Sequence, residues 1–337
     1  MFRTAAVFTV LFVFVAARLH GLEKEVAIQD LQLLNQFQGF AQTYNKKYDS
    51  LEEARERFQI YKANQLQVQY FQQLEQGTAE FGENKFMDMT DEQFEQNVLS
   101  TIIKDPLAVS KKLALADIET SEELPQSHDW RDHGLVNRVK DQEQCGSCWA
   151  FSVVGNIEGQ WKRKTGELIS LSEQELVDCD FKDLACKGGE MNWAYGEIIR
   201  IGGLVKEEDY EYVGQKCFCR VDEHPIVTYI NDSLQLPANE EAIRQYLFKN
   251  GPISIGLNAK TLKHYKHGIH HPFQFLCKPE DTNHAVLLVG YGEESGKPYW
   301  LLKNSWGESW GEKGYFRVFR GKNVCGVAEY ATSAIIY

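Results

Sequence analysis

A chain of 337 residues, 43% hydrophobic and 12% aromatic, is long enough for two domains or for one large domain with an appendage. Its formal net charge of -12, from 36 Lys and Arg against 48 Asp and Glu, argues against a nucleic-acid surface, which would need a basic stripe. All eight cysteines fall between Cys145 and Cys325, so an unstapled N-terminal part precedes a part in which disulfides can form.

In chain order, residues 1–17 read as a secretory signal: Arg3 supplies the charged start, 5–17 the apolar run, and Ala16 and Ala17 small residues for cleavage. That run is shorter than the roughly 20 residues a bilayer span takes, and no later stretch is long enough, so no membrane span is expected. Leu31, Leu34, Phe37, Phe40 and Tyr44 then recur at three and four, one aromatic face on an amphipathic helix. Ser50 with Glu53 reads as a capping box opening a second helix over 51–73, which contains neither Pro nor Gly. The two could pack as a hairpin ending at Gly77. Gly82, Asn84, Phe86 and Asp88 follow at every second residue, a spacing that also fits an ordinary edge strand. Asp105-Pro106 and 110–123 show no core pattern and read as an exposed linker.

The stretch Q-E-Q-C-G-S-C-W-A-F-S over 142–152 sets Cys148 after a small-residue turn and at the head of a helix over 148–164. A helix N-terminus and a nearby imidazolium can lower a thiol from about 8.5 to roughly 3.5–7.5, making it a nucleophile at neutral pH. Further helices are expected after Ser172, which forms a capping box with Glu175, over 192–200, and from Asn239 to residue 249. Strands are expected over 253–258, 285–291, 299–303 and 315–320. The result is an α+β chain with Cys148 in a helical lobe and His284 and Asn304 in a β-rich lobe. A catalytic site made of all three must form at the seam.

Other chemistries fit less well. A redox role for Cys145-x-x-Cys148 lacks a βαβ context, and a zinc ribbon would want a second C-x-x-C where Cys217-x-Cys219 has the wrong spacing. His264, His267, His270 and His271 read as a solvated loop cluster rather than metal ligands. No metal and no organic cofactor are expected. Asn231-Asp232-Ser233 is a glycosylation sequon.

C-G-S-C-W with a distant His284 and Asn304 resembles the papain family of cysteine proteases, and H-G-I-H-H-P-F-Q-F-L-C with N-H-A-V-L-L-V-G-Y-G is most similar to its cathepsin F-like branch. In that family Glu53, Arg57, Ile60, Tyr61, Asn64, Val68 and Gln72 match a propeptide helix signature, followed by the Gly82, Asn84, Phe86, Asp88 pattern. The resemblance implies a two-lobe papain-like fold preceded by a helical inhibitory propeptide, whose tail crosses the cleft opposite to the substrate direction. It places a signal at 1–17, the propeptide at 18–123 and the mature peptidase at 124–337. Cys148 would attack the scissile carbonyl, His284 would share its proton, Asn304 would orient His284, and Gln142 would donate to the oxyanion beside the Cys148 N–H. Trp306 and Trp310 would shield the His284–Asn304 bond, with Trp306 also bordering substrate.

Gly188 and Gly189 would meet the substrate backbone. Met191, Gly256, Ala285 and Tyr330 would line an apolar pocket for the second side chain before the cut, with Glu190 at its rim. The implied disulfides are Cys145 with Cys186, Cys179 with Cys219, and Cys277 with Cys325. Cys217 is left over, and Cys179 with Cys217 is the competing pair. No long insertion separates Gly189 from Tyr212 and no cysteine lies in the proregion, which favours an endopeptidase over the exopeptidase relatives. Expected partners are peptide and protein substrates, the chain's own propeptide and cystatin-like inhibitors, acting on a monomer in the lysosome or outside the cell. Acid is expected to trigger activation by protonating Asp88 and other proregion carboxylates. The rival is an inactive binding protein that has kept the fold.

Overall fold

The computed structural model describes residues 30–105, 107–108, 111–118 and 123–337. The signal-like residues 1–17 and the linker residues Pro106, Ser110 and 119–122 lie outside these. The N-terminal region holds α1 (Leu31–Thr43), α2 (Leu51–Leu74), β1 (Glu80–Phe81), α3 (Asp91–Asn97), β2 (Thr101–Ile102) and β3 (Lys111–Lys112). The aromatic face of α1 buries Leu34, Phe37 and Phe40 against Ala54, Phe58 and Tyr61 of α2, with Tyr48 and Met87 closing the cluster. Ser50 Oγ accepts from the Glu53 N–H at 3.0 Å, as the capping pattern implies. The Glu53 carboxylate reaches back one residue further than a capping box has it, to the Asp49 N–H at 2.6 Å.

The helical lobe follows with β4 (His128–Asp129), α4 (Cys148–Thr165), α5 (Glu173–Cys179), β5 (Gly188–Gly189) and α6 (Met191–Ile201). Every residue of α4 from Cys148 to Gln160 is buried, because this helix lies between its own lobe and the sheet and has no solvent face there. Disulfides Cys145–Cys186 and Cys179–Cys219 staple this lobe.

The sheet lobe comprises β6 (Asp232–Gln235), α7 (Glu240–Asn250), β7 (Ile253–Leu257), β8 (Tyr265–His267), β9 (Ile269–His270), β10 (His284–Glu294), β11 (Lys297–Lys303), β12 (Tyr315–Phe319) and β13 (Tyr330–Ile335). Nine strands run in the order β3-β6-β13-β7-β10-β11-β12-β9, with β4 also paired to β10. Most pairs are antiparallel; β12–β9 and β3–β6 are parallel. Strand β10 is buried without alternation over residues 284–292, which explains its near-continuous apolar sequence. Register sets Ala285 opposite Gly256, and Gly256 opposite Tyr330, so three residues distant in sequence become neighbours. Cys277–Cys325 staples this lobe, and Cys217 is free and exposed. Among the described residues no helix is long and apolar enough to cross a membrane.

Candidate active site

Cys148 is the first residue of α4, and its sulfur is wholly buried at the seam of the lobes. The Ala285 N–H, at the start of β10, donates to Sγ at 3.4 Å, and the Ser100 hydroxyl lies 2.9 Å from it. His284 Nε2 meets Asn304 Oδ1 at 2.8 Å. The same oxygen accepts from the Ser305 N–H at 2.8 Å, so the amide orientation is fixed and His284 carries its proton on Nε2. His284 Nδ1 is thereby the basic nitrogen, and it is buried without a hydrogen-bond partner. Trp306 stacks on the His284 ring with centroids 4.7 Å apart, and Trp310 packs edge-on behind it at 4.7 Å.

Gln142 is buried on the other side. Its Oε1 accepts from Ser305 Oγ at 2.6 Å, which leaves Nε2 to donate, at 2.8 Å each, to the carbonyls of Cys145 and Val98. Val98 belongs to the N-terminal region. From there residues 98–102 run across the seam: the Ser100 N–H donates to Asn283 O at 2.9 Å, and β2 pairs with β5 in parallel, Thr101 opposite Gly188 and Ile102 opposite Gly189. Gly188 has φ +118°, and a Cβ there would fall 2.3 Å from Thr101 O, so only glycine permits this approach. The Ile102 side chain is buried in the apolar cluster that includes Met191, Ala285 and Tyr330.

Burial sets the electrostatics. It pushes the Cys148 thiol up to about 11, against the pull of Ser100 and nearby backbone N–H groups, and pushes His284 down to about 4 in spite of the Asn304 hydrogen bond. The low thiol pKa expected from the helix N-terminus is therefore absent while residues 98–102 cover the site. Both groups are neutral there at pH 7.

Residues 124–335 match a family model described as papain family cysteine protease, and residues 37–94 match one described as cathepsin propeptide inhibitor domain. The chain belongs to the papain family of cysteine proteases. Among its relatives, cathepsin F of Mus musculus is 45% identical over 94% of this chain and 68% of that protein, and cathepsin F of Drosophila melanogaster is 41% identical over 89% and 50%. The digestive procathepsin L2 proteinase from the Tenebrio molitor larval midgut superposes with a TM-score of 0.83 at 33% identity, over 90% of this chain and 99% of that one.

The structure is thus that of a papain-family proenzyme, with its inhibitor domain docked. The helix-signature residues brace the turn that follows them: Arg57 donates to Asp88 O and Gln93, Asn64 to the carbonyls of Met87 and Met89, and Gln72 brackets β1 through Ala79 O and the Phe81 N–H. Tyr61 bonds Glu83, and Val68 packs between the inhibitor and peptidase cores. The alternating motif forms turns rather than a strand. The Gly82 N–H donates to His264 O, Asn84 Nδ2 donates to Lys263 O at 2.7 Å, and Phe86 packs edge-on against Trp306 at 5.5 Å. Asp88 accepts from Lys46 at 2.8 Å and Tyr48 at 3.1 Å, both inside the inhibitor domain.

Two further readings from sequence change. The histidine cluster is not solvated throughout: His264 and His270 are buried, His264 against Gln67 and His270 against Glu75, both from the inhibitor domain. Glu190 does not rim the pocket as a free charge. It is buried as the N-cap of α6, accepting from the Trp193 N–H at 2.5 Å. Sequence reasoning missed Val98, Ser100, Ile102 and Glu75. The one signal for the first three was the short, mostly apolar run Val98-Leu99-Ser100-Thr101-Ile102-Ile103 after the last motif; Glu75 carried none.

Proposed function

We propose that this chain is a lysosomal or secreted cysteine endopeptidase made as an acid-activated zymogen, with a signal at 1–17, a propeptide at 18–123 and a mature enzyme at 124–337. Cys148 is the nucleophile. His284 Nδ1 takes the thiol proton, giving a thiolate–imidazolium pair once the cleft opens, and returns it to the leaving amine. Asn304 holds the Nε2–H tautomer and, being neutral, leaves that pair intact. Gln142 Nε2 and the Cys148 N–H receive the oxyanion of the tetrahedral intermediate, which collapses to an acyl-enzyme that water hydrolyses.

The observation that carries this reading is the inhibitor main chain over Cys148: a carbonyl already rests on Gln142, and β2 lies on Gly188 and Gly189. A parallel pairing gives the inhibitor one direction, and a substrate running the other way would pair antiparallel on the same edge. Ile102 in the pocket of Met191, Ala285, Gly256 and Tyr330 supports a preference for bulky apolar side chains at the second position before the cut. The exposed Asn231 is the proposed glycan site, and the freed cleft of a monomer is the proposed seat for cystatin-like inhibitors.

The test is hydrolysis of a fluorogenic dipeptide amide, a hydrophobic residue followed by Arg, after acid incubation under reducing conditions. Wild-type activity that is absent in Cys148→Ser and blocked by an epoxysuccinyl thiol trap is the expected result. Processing without hydrolysis would favour the inactive binding protein.

A further inference from the structure

Ser147 precedes Cys148 as the N-cap of α4, and serine in that place ordinarily turns its hydroxyl onto a first-turn N–H. Here it makes no such bond. Its Oγ lies 2.7 Å from the Tyr212 hydroxyl, which in turn donates to the Gln142 carbonyl at 2.9 Å. A carbonyl only accepts, so the Tyr212 hydrogen goes to Gln142, and the Ser147 hydrogen goes to the Tyr212 oxygen at 2.7 Å rather than to the Cys145 carbonyl, which lies farther off at 3.4 Å. The Tyr212 ring packs edge-on against Phe151, one turn into α4, at 4.9 Å, and its N–H donates to Glu207 at 3.3 Å. One side chain therefore holds both the residue before Cys148 and the backbone of Gln142.

We propose that Tyr212 is a positioning residue for peptide hydrolysis, holding the two oxyanion donors in register through Ser147 and Gln142. This rests on the reading above, in which the Gln142 amide and the Cys148 N–H receive the oxyanion. The Ala150 N–H donates to Ser147 O at 2.8 Å, and with the Ser147 hydroxyl held off the helix the Cys148 and Trp149 N–H groups stay turned to the sulfur, where charge develops in the transition state. Fixing the Gln142 carbonyl anchors the peptide from which the donating amide projects, while Ser305 fixes the amide itself.

The experiment compares processed wild type and Tyr212→Phe, which keeps the ring on Phe151 and loses only the hydroxyl. Amide hydrolysis should fall about tenfold in kcat, with KM changed by less than about twofold. Alkylation of Cys148 by iodoacetamide, a displacement that builds no oxyanion, should keep its rate and pH profile. Ser147→Ala should show the same split, and Tyr212→Phe placed on Gln142→Ala should cost less than about twofold more, since the path is already cut. Unchanged hydrolysis, an equal fall in hydrolysis and alkylation, or a full further loss on Gln142→Ala would each overturn the inference while leaving the protease reading standing. Wild-type enzyme that alkylates but hydrolyses no peptide would remove that reading, and this inference with it.

Discussion

The Ser100 hydroxyl lies 2.9 Å from the Cys148 sulfur, so a residue of the segment that follows the inhibitor domain is hydrogen-bonded to the proposed nucleophile. Together with the Val98 carbonyl on Gln142, this fills the polar positions around the thiol with groups from the same chain.

The proenzyme thiol should be inert. With burial pushing Cys148 up to about 11, the thiolate fraction at pH 7 is on the order of 10⁻⁴. Iodoacetamide labelling at pH 7 should be at least about 100-fold slower for the proenzyme than for the processed enzyme. Mass spectrometry of the Cys148 peptide over time measures this, and equal rates would show that the cover does not control the thiol.

Glu75 gives a pH dependence with a definite sign. Burial alone would raise its carboxyl, but His270 at 2.7 Å and the N–H groups of His271 and Gly77 outweigh it and hold the pKa below the usual value. A depressed carboxyl stabilises the docked state above its ordinary pKa, about 4.3, and that contribution is lost as pH falls through the lowered value. Glu75→Gln should therefore speed processing at pH 5–6 by about tenfold, and the gap to wild type should close toward pH 3. Gel-monitored processing across that range measures it.

Asp88 predicts a different outcome. Both its partners, Lys46 and Tyr48, are inside the inhibitor domain, so Asp88→Ala should act by loosening that domain as a unit. It should lower the stability of the inhibitor domain by roughly 1–2 kcal/mol, because the half-buried Lys46 and the buried Tyr48 hydroxyl lose their acceptor. Hydrogen exchange should rise around residues 46–48 and 84–88; protection there unchanged from wild type would contradict the assignment.

Gly188→Ala should damage both states at once. The added methyl meets Thr101 O in the proenzyme and occupies the edge a substrate backbone would use, and φ +118° strains any L-residue. Processing should begin at higher pH, while the processed enzyme loses about tenfold or more in kcat/KM for peptides. An enzyme that keeps full activity would show that β5 is not the substrate edge.

Much of this was legible because it is local. Cys148 at a helix start, Asn239 and Ser172 as caps, and the α1 aromatic face each follow from residues within one or two turns. The propeptide motifs were visible as patterns, but their targets were not: Asn84 meets Lys263 and Glu75 meets His270 across nearly two hundred residues. Strand β2 has two residues and no alternation to detect, and its pairing with β5 exists only because Gly188 lacks a side chain. The raised pKa of the covered thiol was hidden for the same reason, since the helix N-terminus is written beside Cys148 and its lid is written fifty residues earlier.

The linker strand β3, laid on β6 with the Leu113 N–H on Gln235 O, keeps inhibitor and enzyme on one covalent thread. While that thread is whole, dilution cannot separate them, because the inhibitor faces the cleft at a fixed local concentration that can reach the millimolar range. A single cut in the linker turns this into an ordinary bimolecular equilibrium. From then on volume matters: in a crowded compartment the freed domain can rebind, and on release into a large one it is lost, so the first cleavage hands control of activity from the fold to the surroundings.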